Sequence, residues 1–182
     1  FFHEWKRLSE QEEGNVALET MLRGICKKDN FLDLLENFIL FDHSDGKTVK
    51  ILARNHQYLG VNEAVKAYEA RKLNNGKLGV FWHTQGSGKS LSMVFYAHLL
   101  QKALNSPTVV VMTDRIDLDD QLYAQFSQCA DFLRQTPVQA ESKEHLKSLL
   151  EGRSANGIIF TTMFKFERGE KPLSERRNIV VM

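Results

Sequence analysis

Residues 81–90 contain the feature that most constrains what this 182-residue chain can fold into. An apolar run, Leu78 to Trp82, is followed by a loop with two glycines and then by Gly88-Lys89-Ser90. The run predicts a strand, and the apolar spacing after the loop predicts a helix from about Lys89 to Leu104. A glycine loop between a strand and a helix N-terminus directs several backbone N–H groups to one point, an arrangement that binds phosphate groups.

The residue types in the loop indicate which phosphate chemistry it supports. Gly86 and Gly88 let the backbone approach a ligand without a Cβ clash. Lys89 would reach the β- and γ-phosphates of a nucleoside triphosphate, and the Ser90 hydroxyl would coordinate Mg²⁺. His83 stands where the pattern G-x-x-x-x-G-K-[ST] has its first glycine, and we interpret it as a structural loop residue.

We therefore predict an ATP and Mg²⁺ site in this loop, with Lys89 and Ser90 as the catalytic candidates and Ser90 as the metal ligand. The alternative is a helix that merely begins with Gly-Lys-Ser. The predicted nucleotide-binding loop residues are Thr84, Gln85, Gly86, Ser87, Gly88, Lys89 and Ser90.

Strands and helices alternate after the loop. Strand patterns cover Thr108 to Met112, Ile158 to Thr162 and Asn178 to Met182, and they are continuously apolar rather than alternating. Helix patterns cover Leu118 to Leu133 and Lys143 to Glu151, the second with Ser142 as its cap. Continuous apolar strands that alternate with helices predict an α/β fold, with a parallel sheet covered on both faces.

The front of the chain predicts helices and a hairpin. Two amphipathic helices are expected, one after Asn15 and one behind Asp29 or Asn30. Asp45-Gly46 predicts the turn of a hairpin. The remaining expected elements are hairpin strands at Phe38 to Phe41 and Thr48 to Leu52, a helix carrying Val61, Ala64, Val65 and Tyr68, and a turn at Asn74-Asn75-Gly76.

The formal net charge of +1 conceals an asymmetry, because residues 1–46 carry −5 and the remainder +6. This is either a local fluctuation of solvated charge or a polyanion-binding body behind an acidic segment. No apolar run approaches the length of a membrane span, and charges near the start exclude a signal peptide. We interpret Cys26 and Cys129 as reduced core thiols of a cytoplasmic protein with no membrane partner.

The segment from His83 to Ser90 resembles motif I of superfamily 2 helicases and translocases. The sequence of residues 81–90 is similar to that of the restriction (R) subunit of type I restriction-modification enzymes. Upstream, residues 54–58 resemble the R-x-x-Q element of that family, which adds Arg54 and Gln57 to the nucleotide site. A glutamine amide donates and accepts at once, so Gln57 matches the N6 and N7 atoms of adenine. The alternative for Gln57 is a solvent-exposed residue at a helix start.

Downstream, residues 109–121 are similar to motif Ia of the family, a strand that ends in Asp114-Arg115, and residues 158–166 resemble motif Ib. The resemblance implies contacts to DNA phosphates at the carboxyl ends of two strands. The residues implied are Thr113, Asp114, Arg115, Thr161 and Thr162. The alternatives are that the threonines only fill strand ends and that Arg115 pairs with Asp114 or Asp117.

The resemblance implies a RecA-like P-loop sheet with flanking helices. The sheet is incomplete, with residues 47–182 forming the N-terminal part of a first motor lobe and residues 1–46 a helical and hairpin connector. The implied parent is an ATP-dependent, double-stranded DNA translocase and type I site-specific deoxyribonuclease subunit that works with modification (methyltransferase) and specificity subunits.

We expect the chain alone to bind nucleotide weakly and neither to hydrolyse ATP nor to cleave DNA. A D-E-A-H motif would follow the strand Asn178 to Met182, and Glu4-Trp5-Lys6 lacks the upstream Asp of a nuclease site. Two further classes remain open: another superfamily 2 helicase of repair or restart, and a non-enzymatic nucleotide-binding module.

Overall fold

The computed structural model describes residues 4–42, 46–102, 106–166 and 171–182. The chain forms two compact units, Phe1–Leu99 and Leu100–Met182. The helices are α1 Leu18–Gly24, α2 Lys28–Asn37, α3 Asn55–Glu69, α4 Lys89–Lys102, α5 Ile116–Gln128, α6 Ala130–Leu133 and α7 Lys143–Glu151. The strands are β1 Ile39–Asp42, β2 Val49–Leu52, β3 Thr108–Thr113, β4 Val138–Gln139, β5 Ile158–Thr162 and β6 Ile179–Val181.

The predicted hairpin is confirmed in the first unit. Strands β1 and β2 pair antiparallel, with Ile39 opposite Leu52 and Asp42 opposite Val49. Gly46 has a φ of +68°, a conformation that glycine adopts at little cost. Asp45, the other residue of the predicted turn, lies outside the described residues.

Aromatic side chains form the core of the first unit. The Phe38 ring lies 4.8 Å from that of Tyr58 and 5.4 Å from that of Phe95, and Trp5 lies 5.4 Å from Tyr58. Asn55, at the start of α3, accepts hydrogen bonds from the backbone N–H groups of residues 6 and 7. Helix α3 is therefore packed on one side by this core and held at its first turn by the N-terminal segment.

The predicted caps of the first two helices are wrong. Helix α1 begins after Ala17 and not after Asn15, and α2 begins after Lys27 and already contains Asp29 and Asn30. The Asn30 side chain donates to the carbonyl of Gly24, 2.8 Å away, so it satisfies the end of the preceding helix instead of capping its own.

The predicted parallel sheet is confirmed in the second unit. Its order is β4-β5-β3-β6, and every neighbouring pair is parallel. The sequence did not predict β4, because two residues are too short for a periodic pattern.

Helices cover both faces of this sheet. Leu146 and Leu150 of α7 pack with Val110 and Ile159 on one face. On the other face, Phe126 of α5 meets Phe160 edge to face at 5.1 Å. Adjacent residues of one strand point to opposite faces, so burial on both sides explains the continuous apolar runs.

Two helix predictions of the second unit have different outcomes. Helix α7 matches its predicted bounds, and the Ser142 hydroxyl accepts from the backbone N–H of His145 as a helix cap. The predicted helix Leu118 to Leu133 is instead two helices. They divide at Cys129, whose N–H bonds the carbonyl of Phe126 three residues back and so tightens the end of α5.

The predicted strand Leu78 to Trp82 is wrong. These residues are irregular, and Val80 and Trp82 are 90% and 86% exposed. A strand needs a neighbour to satisfy its backbone groups, and no described residue pairs with this run. An apolar pattern indicates which residues favour burial, but it cannot supply the pairing partner.

The cysteine prediction is confirmed for one residue only. Neither Cys26 nor Cys129 is in a disulfide, and Cys129 is buried as predicted, whereas Cys26 is exposed. The helices in the described part of the chain are all too short or too polar to cross a membrane.

The variant Phe160→Ala tests the packing of the second unit. Phe160 is fully buried and contacts Tyr123 and Phe126, so we expect the free energy of unfolding to fall by about 3–5 kcal/mol. Urea titration followed by circular dichroism measures the change. The control Phe164→Ala removes a ring that is 72% exposed, and it should change the value by less than about 0.5 kcal/mol. Equal losses in the two variants would contradict this packing.

Candidate nucleotide site

Residues 83–90 form a loop that ends in the first turn of α4. Gly86 and Gly88 have φ values of +77° and +84°, which side chains rarely adopt. A Cβ at Gly86 would meet no atom within 4 Å, whereas one at Gly88 would lie 2.7 Å from Nε2 of Gln57. Both positions therefore need glycine for their backbone conformation, and Gly88 also needs it for its close approach to α3.

Lys89 folds back over the loop that precedes it. Its ammonium group donates to the carbonyls of His83 and Thr84, each 2.9 Å away. An ammonium group has three N–H donors, so these contacts use two of them. Lys89 is exposed at the loop, and no carboxylate among the described residues forms an ion pair with it.

Helix α3 holds the loop through two successive residues. His56 Nε2 lies 2.9 Å from the carbonyl of Ser87, and the Gln57 amide donates to the carbonyl of Gly88, also at 2.9 Å. The Gln57 oxygen accepts from the backbone N–H of Arg54 at 2.8 Å. Because Gln57 is only 3% exposed, the interpretation as a solvent-exposed helix-start residue is wrong.

The predicted contact of Gln57 with adenine stays a prediction. In the structure its amide oxygen and one amide N–H are bonded within the protein, so adenine would have to use the remaining N–H or replace one of these bonds. Arg54 is exposed at the same helix start, as are Thr84 and Gln85 in the loop.

Rings pack between α3 and the entry to the loop. Phe81 stacks on His83 with ring centroids 4.6 Å apart, and His83 lies 5.0 Å from His56. A Cβ at Gly60 would come within 2.7 Å of the Phe81 ring. Gly60 therefore permits the close approach of the Phe81 and His83 rings to α3.

The donor set of the loop fits a nucleoside triphosphate. Ser87 Oγ is buried and has no hydrogen-bond partner among the described residues, so it leaves an unpaired polar atom inside the loop. Phosphate oxygens would accept hydrogen bonds from that hydroxyl, from the Lys89 ammonium and from the N-terminal N–H groups of α4. The open space at Gly86 leaves room for them. Ser90 lies in the first turn of α4, where a hydroxyl suits a Mg²⁺ ion that a phosphate also binds.

The predicted DNA-contacting residues lie at the carboxyl ends of β3 and β5. Thr113 pairs directly with Thr162 across the two strands, so the structure brings these ends together. The side chains of Thr113, Thr161 and Thr162 are buried, and Asp114 and Arg115 are exposed.

The sequence left Asp114 and Asp117 as alternative ion-pair partners of Arg115, and the structure shows the pair with Asp117. Its guanidinium is hydrogen-bonded to Asp117, with Nε 3.0 Å from Oδ1, and this hydrogen bonding lowers the pKa of the Asp117 carboxyl. A pair this exposed is easily exchanged for another anion.

Sequence reasoning missed a polar network beside these strand ends. Asp119 is 1% exposed, and its carboxylate lies 3.2 Å from the Thr113 hydroxyl and accepts from the Gln139 amide at 2.7 Å. It also missed His56, whose contact with Ser87 joins residues far apart in the chain. A hint for His56 was its place beside Gln57 in the R-x-x-Q element.

The family of the chain follows from comparison with known sequences. The sequence model of the SWI2/SNF2 ATPases matches residues 56–182, which include α3, the phosphate loop and the parallel sheet. The chain is a member of the SWI2/SNF2 ATPase family. The α/β architecture and the parallel sheet with flanking helices agree with a partial RecA-like P-loop fold of that family.

Curated relatives narrow the resemblance within the SWI2/SNF2 ATPases. The whole chain is 42% identical to part of the type I restriction enzyme HindI endonuclease subunit of Haemophilus influenzae, covering 19% of that protein. It is 36% identical, over 92% of its length, to 16% of a Methanocaldococcus jannaschii protein provisionally named type I restriction enzyme MjaIXP endonuclease subunit. The chain thus spans less than a fifth of the length of these relatives.

The pKa of His83 gives the site a pH dependence. Burial lowers it below the usual 6.5, and the nearby His56 and Lys89 lower it further, against an opposing effect of Glu10. The unfolded chain therefore binds the proton more readily, and the stability contribution present above about pH 6.5 is lost as the pH falls. We expect the free energy of unfolding to drop between pH 7.5 and 5.5, and to drop less in His83→Gln.

Urea unfolding at the two pH values measures both slopes. Titration of the His83 ring by NMR gives the pKa directly, and the expected midpoint is below 6.5. Identical slopes in the two proteins would assign the pH dependence to other groups.

Proposed function

We propose that the chain binds ATP together with Mg²⁺ through the loop 83–90. The observation that carries this proposal is the glycine loop whose carbonyls are held by α3 and by Lys89, with its N–H groups at the start of α4. Lys89 would neutralise the β- and γ-phosphates, and Ser90 would hold the metal ion. Thr84, Gln85, Gly86, Ser87 and Gly88 would surround the phosphates, with Arg54 and Gln57 on the adenine side.

The bound nucleotide would supply a phosphoanhydride bond whose hydrolysis drives movement in motors of this kind. The residues of this chain bind and orient it. The loop itself, residues 83–90, contains no carboxylate that could activate water. A carboxylate outside the loop would have to activate water for hydrolysis, and we propose that the chain on its own binds ATP weakly and does not turn it over.

We propose double-stranded DNA as the substrate of the larger protein, with movement along DNA and its cleavage as the activity. The names of the relatives support this, since they are endonuclease subunits of type I restriction enzymes. On this proposal, modification and specificity subunits are the partners, the location is cytoplasmic, and residues 1–46 connect a nuclease to the motor. Arg115 and Asp114, with the backbone beside Thr113, Thr161 and Thr162, would lie against DNA phosphates.

Lys89→Ala tests the nucleotide proposal. It removes a charge-assisted contact with the phosphates, and we expect the dissociation constant for Mg²⁺-ATP to rise about 10- to 100-fold. Isothermal titration calorimetry on the 182-residue chain measures the change.

Lys147→Ala is the matched control. Lys147 lies on α7, where it is 56% exposed and 3.7 Å from Glu151, and its loss should leave ATP affinity unchanged. An unmodified chain that binds no ATP, or a Lys89→Ala variant that binds it equally well, would overturn the proposal.

Arg115→Ala tests the DNA contact. Loss of one phosphate contact should weaken binding to double-stranded DNA equally for unrelated sequences. The plot of log affinity against log salt has a negative slope, and its magnitude should fall by about 1. Fluorescence anisotropy over a salt series measures both quantities.

The control for this experiment is Arg23→Ala, which removes an exposed arginine paired with Glu19 on α1. It should preserve the slope. An unchanged slope in Arg115→Ala would remove Arg115 from the DNA surface.

A further inference from the structure

We propose that His56 is a positioning residue of the phosphate loop, which turns the Ser87–Gly88 peptide so that its N–H faces the bound phosphates. The inference rests on the proposed nucleotide function and adds to it the group that sets the orientation of the loop backbone. Its starting point is the 2.9 Å contact between His56 Nε2 and the carbonyl of Ser87.

The contact fixes which nitrogen of His56 carries a proton. A carbonyl oxygen only accepts hydrogen bonds, so Nε2 must be the donor. The neighbouring residue, Gln57, donates to the next carbonyl of the loop, that of Gly88, at the same distance. Two successive side chains of α3 therefore hold two successive peptide groups of the loop.

Peptide geometry turns this contact into an orientation. The described part of the chain has no cis peptide bond, and in a trans peptide the C=O and N–H groups point in opposite directions. When His56 draws the Ser87 carbonyl toward α3, the N–H of Gly88 is directed away from α3. The Gln57 contact acts in the same way on the N–H of Lys89.

The loop needs such a restraint because a glycine lies on each side of Ser87. Gly86 and Gly88 both have positive φ, and a residue without a Cβ changes to other backbone conformations at little cost. A peptide group that is free to rotate presents its carbonyl to a phosphate part of the time, and this repels the anion. Holding the carbonyl removes that orientation before the ligand arrives, which improves affinity through preorganisation.

The surroundings of His56 restrain its ring. It lies 5.0 Å from the ring of His83, which is itself stacked on Phe81. Gly60, one turn further along α3, lets this pair of rings approach the helix closely. The imidazole is therefore packed as well as hydrogen-bonded, and the test must separate these two contributions.

A pair of substitutions makes that separation. His56→Leu keeps a side chain of moderate size but removes the hydrogen-bond donor. His56→Gln places an amide N–H at about the reach of Nε2. We expect His56→Leu to weaken Mg²⁺-ATP binding about tenfold, and His56→Gln to restore it to within about threefold of the unmodified chain. Calorimetry on the full 182-residue chain gives the affinities, and thermal unfolding confirms that each variant folds.

Two controls sharpen the comparison. His145→Leu removes a histidine of α7 that lies outside the loop, and it should leave ATP affinity unchanged. His56→Asn keeps an amide but places its N–H short of Ser87. If His56→Leu fails to fold, the contrast between His56→Asn and His56→Gln takes its place.

A second measurement reports the contact without nucleotide. The carbonyl carbon resonance of Ser87 should move upfield in His56→Leu, because the hydrogen bond is lost, and should stay near its original position in His56→Gln. The inference is overturned if this resonance does not move, if His56→Leu binds Mg²⁺-ATP normally, or if His56→Gln loses as much affinity as His56→Leu. An unmodified chain that binds no ATP is a separate result, which overturns the proposed function and the inference with it.

Discussion

The candidate site depends on the contact between the first turn of α3 and the carbonyls of the phosphate loop. Without it, a loop that contains two glycines would have no fixed set of N–H directions. His56 and Gln57 bind the carbonyls of Ser87 and Gly88, while Lys89 binds those of His83 and Thr84. Four carbonyls of the loop are thus engaged by protein donors. The Ser87 N–H bonds the Thr84 carbonyl, so the loop groups available to an anion are the N–H groups of Gly86, Gly88 and Lys89 and the buried Ser87 hydroxyl.

The second unit combines burial on both faces of its sheet with polar contacts at the strand ends. Its central strands, β3 and β5, are covered on both faces, which the sequence indicates through continuous apolar runs. At the carboxyl ends, the buried Asp119 binds Thr113 and Gln139, so that β3 and β4 end in a connected polar network. A buried carboxylate is tolerable only when its partners replace the lost water, and here a hydroxyl and an amide supply them.

Local patterns predicted what local forces determine. The Ser142 cap, the hairpin of β1 and β2, and the positions of β3, β5 and β6 all follow from residue types within short windows. The predicted strand Leu78 to Trp82 is wrong because pairing requires a neighbour that an apolar pattern does not reveal. The role of Gln57 was only partly accessible, since the sequence marked the residue but not its bond to Gly88, which lies 31 positions away. His56 escaped notice for the same reason, and the resemblance to superfamily 2 motors marked the loop without showing what holds it.

We propose that the N–H groups of this loop are the anion-binding element of the chain. An NMR titration of the nitrogen-15-labelled chain with Mg²⁺-ATP tests it most directly, with Mg²⁺ and adenosine as the reference titration. The amide resonances of Gly86, Gly88 and Lys89 should shift most with Mg²⁺-ATP and much less with adenosine. Amide resonances in the loop that stay in place while ATP binds elsewhere on the chain would contradict it.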